Sequence, residues 1–163
     1  MNGTVAAILS LLLAAGVALF AAFGPRIFEK APAERYTVTE PYSYPVKPGT
    51  AEWEAMSIEE RLEACSVDRS LAESMDTNSL LKTVLEYPFI VDIGFYDGAG
   101  KGIDIVCAYF APLDELLKRP EAADTLRDYL SAVEEGGNVK DIDYVLETHY
   151  HIARDLAAYL GAI

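Results

Sequence analysis

The sequence predicts an all-α protein with a hydrophobic N-terminal helix, an extended connector and a compact multi-helix domain. Residues 5–23 are apolar and uncharged, and residues 24–50 hold five of the chain's eight prolines. From residue 51 onward, apolar side chains recur every three or four positions between N-cap residues and turns, which is the pattern of amphipathic helices. Short helices joined by short turns indicate a bundle or a solenoid-like stack.

Residues 5–23 are predicted to be a signal peptide or a membrane anchor. As a helix they would extend roughly 28 Å, close to the hydrocarbon thickness of a bilayer. They lack a basic start and a good cleavage site, which favours a retained anchor. Arg26, Lys30 and Arg35 follow, and the positive-inside rule alone would keep the domain in the cytoplasm. The acidic, proline- and tyrosine-rich sequence beyond is more typical of export, so we expect an extracytoplasmic protein, anchored or secreted.

Residues 24–50 are predicted to be an extended linker, and residues 51–163 to be the helical domain. Proline pushes the preceding residue toward extended geometry, so a segment with five prolines behaves as a semi-extended spacer. Its tyrosines, Tyr36, Tyr42 and Tyr44, are expected to pack along the domain.

Capping signals predict short helices over residues 50–87. Thr50 caps a turn that reaches residue 56, and Ser57 with Glu60 forms a capping box for a helix to residue 65. A further helix is expected over residues 68–75. Residues 76–79 are rich in N-cap types, and the apolar spacing after them predicts a helix to residue 87, before Pro88. The helix after Ser57 carries an apolar face made of Ile58, Leu62 and Cys65.

The second half of the domain is predicted to be helical on both sides of a glycine-rich turn. Residues 89–96 suit a buried strand or a helix, and we expect a helix because a lone strand has no partner in this chain. Residues 97–102 (DGAGKG) are expected to be a flexible turn. Helices follow over residues 103–110, 113–119, 121–135 and 141–160, with a turn at 136–138. The last helix has an apolar side that includes Val145, Ile152 and Leu156, and His149 is expected in the core beside them.

The chain is strongly acidic, with 26 Asp+Glu against 13 Lys+Arg and a formal net charge of −13. Nucleic-acid binding needs clustered lysine and arginine, so nucleic acid is excluded as a partner. Acidic residues on a solvent-exposed surface keep a protein soluble, and this accounts for the excess of acids without any particular partner. The expected partner is an unidentified protein, and the membrane is contacted through residues 5–23.

The two cysteines, Cys65 and Cys107, allow two interpretations. In an oxidising compartment they are a candidate disulfide that closes a loop of about 43 residues, worth roughly 4 kcal/mol in the chain-entropy model. Otherwise they are buried thiols that act as small hydrophobes.

Two patterns resemble ligand sites, but simpler interpretations account for both. The DGAGKG turn lacks the spacing of a phosphate-binding loop, and Ala99 and Lys101 stand where a calcium loop needs oxygen ligands. Glu147, His151 and Asp155 share one face of the last helix, which suits a divalent metal or an ordinary solvated face. We therefore expect no cofactor and no metal site.

Catalysis in this chain would have to use carboxylates. Glu86, Asp92, Asp97 and Asp104 cluster in sequence around the glycine turn, and a suitably spaced pair would serve glycoside hydrolysis. The sequence offers no recognisable context for a serine or cysteine nucleophile. We therefore predict no catalytic residues, with a small hydrolase or metal-binding enzyme that uses Asp92, Asp97 and Asp104 as the alternative.

The motifs YPVKPGTAEW (44–53), EAC (63–65) and TVLEYP (83–88) resemble the YPxxPGTxEW, EAC and TVLxYP segments of an uncharacterised family of exported proteins from Gram-positive bacteria. The resemblance extends over residues 44–119 and implies export and a helical domain. It implies no activity and no site residue, and the DGAGKG turn departs from the family pattern.

Together these features predict a non-enzymatic helical module, exported or anchored at the cell surface, for protein binding or envelope assembly. The prolyl connector lifts the domain from a membrane. Tyrosines serve contact surfaces well, because they supply a large area at low entropic cost. An anchored cytoplasmic domain is the alternative placement.

Overall fold

The structure is a computed structural model that describes residues 36–136 and 144–163. Over these residues the chain forms helices and no strand, which confirms the predicted all-α fold for this part. No described helix is both long enough and apolar enough to cross a membrane. The predicted leader at 5–23, linker residues 24–35, most of the turn at 136–138 and the first residues of the last helix lie outside the described residues.

The helices are numbered here in chain order. They are α1 (Ala51–Ala55), α2 (Ile58–Ala64), α3 (Arg69–Ser74), α4 (Thr77–Leu85), a 3₁₀ helix (Ile90–Phe95), α5 (Ala99–Tyr109), α6 (Ala111–Lys118), α7 (Ala122–Glu135) and α8 (Tyr144–Tyr159). The helix expected over residues 89–96 is thus present, but as a 3₁₀ helix, whose buried residues are Ile90 and Ile93.

Capping hydrogen bonds confirm the predicted helix starts. Thr50 caps α1 through its side chain. At α2 the Ser57 amide donates to Glu60 Oε2 at 2.7 Å, and the Glu60 amide donates to Ser57 Oγ at 3.2 Å. At α4 the Ser79 amide donates to Asp76 Oδ1 at 2.9 Å. These bonds satisfy amides that the first helical turn leaves unpaired, and so they fix where each helix begins.

The helix α4 is the centre of a bundle. Seven of its nine residues are buried, among them Leu80 and Val84, which have no exposed surface. It packs on α6, α7 and α8, while α5 packs on α6 and α8. In a solenoid each unit contacts only its neighbours along the chain. Contacts between helices so far apart in sequence therefore make this domain a bundle.

The connector packs on this bundle, and the compact unit begins at Tyr36 instead of residue 51. Tyr44 and Val46 are buried. The Tyr44 hydroxyl donates to the Thr83 carbonyl at 2.9 Å, and the Tyr42 amide donates to Thr83 Oγ1 at 2.8 Å. Because Thr83 has no exposed surface, these bonds tie the connector to the interior of the domain.

The glycine-rich segment is largely helical, which corrects the prediction of a flexible turn over residues 97–102. The helix α5 begins at Ala99, after Gly98, whose φ of +92° suits glycine. Gly102 lies inside α5 and packs directly on the 3₁₀ helix, where a Cβ would overlap the carbonyl group of Ile93. The glycines therefore serve one backbone turn and one close contact between helices.

Two predicted apolar faces are only partly buried. On α2, Ile58 and Leu62 are exposed, whereas Cys65 beyond its end is fully buried. On α8, Leu156 is fully buried but Val145 in the first turn is exposed. Helical spacing determines which residues share a face, and tertiary packing decides how much of that face is covered.

The side chain of Arg119 caps the C-terminal end of α3 by hydrogen bonds to its backbone carbonyls. Among the described charged residues it alone is buried, with 2% of its side chain exposed. Its guanidinium donates to the carbonyl oxygens of Ala72, Glu73 and Met75 at 2.9, 3.4 and 2.6 Å. The last carbonyls of a helix have no partner within it, and here the arginine supplies one.

The other guanidinium N–H groups meet polar side chains on α4 and α6, beside Glu121 at the start of α7. They donate to Thr77 Oγ1 at 3.2 Å and to Glu115 Oε1 at 3.1 Å, so each of the five donors has an acceptor. Glu121 Oε1 accepts from the hydroxyls of Tyr36, at 3.1 Å, and Thr77, at 2.8 Å. The Tyr36 ring centroid lies 4.1 Å from Arg119 Cζ. One buried, fully bonded charge thus joins α3, α4, α6 and the connector.

We expect Gly102→Ala to destabilise the domain and Gly100→Ala to stabilise it slightly. A Cβ at position 102 meets the backbone of Ile93, and such overpacking typically costs about 1–3 kcal/mol. At position 100 the nearest atom is Tyr159 Cδ2 at 3.9 Å, an ordinary contact, and alanine gains up to about 1 kcal/mol over glycine in a helix. Urea unfolding followed by the fluorescence of Trp53, the only tryptophan, measures both. Equal changes in the free energy of unfolding for the two variants would contradict the close contact between Gly102 and Ile93.

We expect Arg119→Lys to lower the free energy of unfolding by about 3 kcal/mol, although the charge is kept. Lysine cannot reach all five acceptors, and each buried carbonyl left without a partner costs roughly 1–3 kcal/mol. The matched control is Arg127→Lys, since Arg127 pairs with Asp124 on the surface and such a pair contributes below about 1 kcal/mol. The same urea titration compares them. If Arg119→Lys lowers the free energy of unfolding no more than Arg127→Lys does, the buried network contributes little to stability.

Candidate functional site

An apolar groove lies where the connector, the end of α4, the 3₁₀ helix and the first turn of α8 meet. Its volume is about 490 Å³, within the range of roughly 300–1,000 Å³ that ligand sites in proteins occupy. We refer to this cavity as the groove. Its apolar lining includes Tyr44, Tyr87, Ile90, Val91, Tyr144 and Val145.

The floor of the groove includes Tyr44 and Tyr87, which belong to a larger buried aromatic cluster. Tyr87 stacks on Phe110, with ring centroids 3.8 Å apart and planes inclined by 10°. Its centroid also lies 5.8 Å from that of Tyr44 and 5.6 Å from that of Phe89. Trp53 packs on Phe89 at 5.3 Å. All five rings are buried, and aromatic pairs stabilise beyond their burial, so the floor is preformed.

The rim of the groove consists of apolar side chains that remain open to solvent. Tyr144 is 77% exposed, Val145 53% and Val91 40%. A single exposed apolar side chain is ordinary on a soluble protein. Three of them around one concavity form an apolar patch, and such patches mark binding surfaces.

A few polar side chains set the chemistry of the groove, namely Ser43, Lys47, Glu86, Thr148 and His149. Thr148 Oγ1 donates to the Tyr144 carbonyl at 2.8 Å, so its hydroxyl is engaged within α8. Burial lowers the pKa of His149, and the negative charge of Glu86 opposes this shift. The imidazole is therefore neutral at neutral pH. The residue expected in the core is half-buried and lines the groove instead.

The four carboxylates that the sequence groups together lie in different surroundings in the structure. Glu86 lines the groove. Asp92, on the 3₁₀ helix, is half-buried, and burial raises its pKa. Asp97 is exposed, and Asp104 accepts a hydrogen bond from the Tyr159 hydroxyl at 2.7 Å. Each of these acids therefore has a different environment, and Asp104 is engaged in holding α8 against α5.

The acidic and histidine face of α8 is exposed at its N-terminal end. His151 Nε2 lies 3.9 Å from Glu147 Oε1, and the two side chains are 59% and 50% exposed. Within residues 36–136 and 144–163, no three His, Cys, Asp or Glu side chains come close enough together to hold a metal ion. Along this face of the helix Glu147 and His151 are exposed and Asp155 is half-buried.

Both cysteines are free thiols in the structure, so the candidate disulfide between Cys65 and Cys107 is not formed there. Cys65 has no exposed surface and Cys107 is half-buried. Burial raises the pKa of both thiols, that of Cys107 to about 11, with Asp114 and Asp104 adding to the effect. A thiol that stays protonated is a poor nucleophile. In the structure Cys65 belongs to the hydrophobic core and Cys107 packs against it.

Comparison with known proteins gives no relative of this chain. No protein-family model matches it, and no curated protein and no solved structure matches it significantly. The resemblance of residues 44–119 to exported Gram-positive proteins therefore stays a prediction, and the groove is interpreted from its own residues.

The groove as a site was not predicted from the sequence. Four segments build it, and the sequence assigned Tyr87, Val91 and Val145 to helix interiors or apolar faces. One signal was available: Val145 belongs to the predicted stripe of the last helix and lies near its N-terminal end, where the stripe is least covered by the rest of the domain. Side chains at such an end are candidates for contact with a ligand.

We expect the domain to lose stability when the pH falls from about 7.5 to about 5.5, and His149→Gln to reduce that loss. The pKa of His149 is lower in the folded protein than its unfolded value of about 6.5. The unfolded state therefore binds more protons in this range, and stability falls as the pH drops through the unfolded pKa.

The melting temperature across this range measures the effect. The matched control is His151→Gln, an exposed histidine two residues further along α8. Histidine is the residue type that titrates near neutral pH, and the chain has two. If His149→Gln leaves the slope of melting temperature against pH unchanged, burial of this imidazole is contradicted.

Proposed function

We propose that the chain is a non-enzymatic helical module that binds an apolar segment of a partner protein in the groove. The observation that carries this proposal is the groove itself, with its buried aromatic floor and its open apolar rim. Tyr144 and Val145 remain in contact with water, and covering apolar surface gains about 25 cal/mol per Å². A floor that is formed before binding reduces the ordering cost of association.

The polar groups of the groove favour binding over catalysis. Glu86 is the one carboxylate on its lining, whereas hydrolysis by a carboxylate pair needs a second one at roughly 5–10 Å. The alternative, a hydrolase that uses Asp92, Asp97 and Asp104, has less support because Asp104 is bonded to Tyr159. A groove with few polar groups and a wide apolar lining suits recognition of an apolar side chain.

We further propose that the module works outside the cytoplasm, anchored through residues 5–23 or secreted. The apolar leader, the prolyl connector and the resemblance to exported Gram-positive proteins support this placement. Partner binding or envelope assembly is the role that fits such a placement. The net charge of −13 argues against nucleic acid as the partner.

The test uses an array of short peptides with randomised apolar centres, probed with the native chain and with two variants. We expect Val145→Glu to weaken the binding of selected peptides by about tenfold or more, because it places a charge on the apolar rim. Ile58→Glu is the matched control, since Ile58 is an exposed aliphatic residue on α2. Both residues are exposed, so circular dichroism and melting temperature should stay native.

Two results would contradict the proposed function. Peptides that bind both variants as tightly as the native chain would show that the groove is not the site. If no peptide loses binding when Val145 is changed to glutamate, the groove is not a protein-binding surface.

A further inference from the structure

We infer that the occupant of the groove is a basic protein segment, in which lysine or arginine flanks an apolar anchor. This inference rests on the proposed function, because it specifies the partner of the same groove. Two features carry it: the apolar lining of the groove, and the excess of acids in the domain and around the groove.

The domain carries a large excess of negative charge. Residues 36–163 contain 24 acids and 10 Lys+Arg, a formal net charge of −14. Four of these bases are already paired with acids, namely Arg69, Lys118, Arg119 and Arg127. Because each ion pair neutralises an acid as well as a base, the domain keeps its excess of negative charge, and a field of one sign attracts partners of the other sign and repels its own.

The segments that build the groove share this excess. Glu86 lines it, Asp92 is adjacent to the lining residue Val91, and Glu147 is exposed in the first turn of α8. On the lining itself the charge of Lys47 balances that of Glu86, so the local excess comes from Asp92 on the 3₁₀ helix and Glu147 on α8. A segment that enters the groove and continues past its rim therefore approaches Asp92, Glu147 and the acidic surface of the domain, where flanking bases on the partner meet charges of opposite sign.

The other occupants fit less well. An acidic peptide or an anionic lipid headgroup would meet like charge, which costs affinity and slows association. A neutral apolar segment would gain the contact with Val145 and Tyr144 but none of the electrostatic attraction. Exposed charges act mainly on the association rate and on the choice of partner, and salt screens them over about 8–10 Å.

The experiment divides the peptide array into three frames, in which the randomised apolar centre is flanked by lysine, by glutamine or by glutamate. The native full chain and Val145→Glu are compared on all three. Val145→Glu adds a negative charge, so attraction of lysine by charge alone would increase in this variant. Peptides that lose binding in it therefore depend on the apolar contact.

We expect the peptides sensitive to Val145→Glu to come mainly from the lysine frame. Lysine-flanked peptides should bind about tenfold tighter than glutamate-flanked peptides with the same centre, and high salt should shrink this difference. Glu86→Gln should weaken the lysine-flanked peptides about two- to threefold and leave the glutamine-flanked ones unchanged. Glu63→Gln, at an exposed acid on α2, is the matched control and should change neither.

The outcomes separate the inference from the proposed function. Equal numbers of sensitive binders in the three frames would overturn the inference and leave the groove as a binding site for neutral segments. A majority from the glutamate frame would overturn it as well. No sensitive binder in any frame would overturn both.

Discussion

The rest of the domain depends on the buried guanidinium of Arg119. It satisfies the last carbonyls of α3, bonds to Thr77 at the start of α4 and contacts the ring of Tyr36 in the connector. Desolvating a charge costs several kcal/mol, and breaking its interactions destabilises strongly, because the charge is then left without partners. Five acceptors must therefore be in place together, which restricts how these elements meet. Helices as short as α3, with six residues, are unstable alone, and this junction gives α3 a defined end.

The groove inherits its shape from this junction. The connector is held at Tyr36 by the Arg119 cluster and at Tyr44 by Thr83 of α4. Between these points it runs alongside the chain that links α3 to α4, with a bridge from Val38 to Met75. Tyr44 then joins Tyr87 in the aromatic floor. A polar junction at the start of α4 therefore positions an apolar wall near its end, and the groove is built before any partner arrives.

Local signals were sufficient to predict the helices, whereas contacts between distant residues decided the remaining features. The capping box of Ser57 and Glu60 lies within four residues, so the start of α2 could be predicted. The role of Gly102 could not, because its partner Ile93 lies on another helix and a glycine-rich string equally suits a turn. Arg119 resembled any basic residue at a helix end, since the carbonyls that it binds lie more than 40 residues earlier. The groove was missed for the same reason, because four separate segments form it.

The last helix shows how one periodic pattern contributes both to the core and to the candidate site. Its apolar stripe runs from Val145 past the half-buried His149 to Leu156, and exposure falls from about half of the side chain to none along it. In the described structure nothing covers the first turn, and solubility alone would favour polar residues there. The valine there lies on a domain whose acids outnumber its bases by more than two to one. An apolar rim within a negative field suits a partner that carries both apolar side chains and positive charge. Burial of the apolar side chains contributes affinity, and the opposite charges increase the association rate and the selectivity for such a partner.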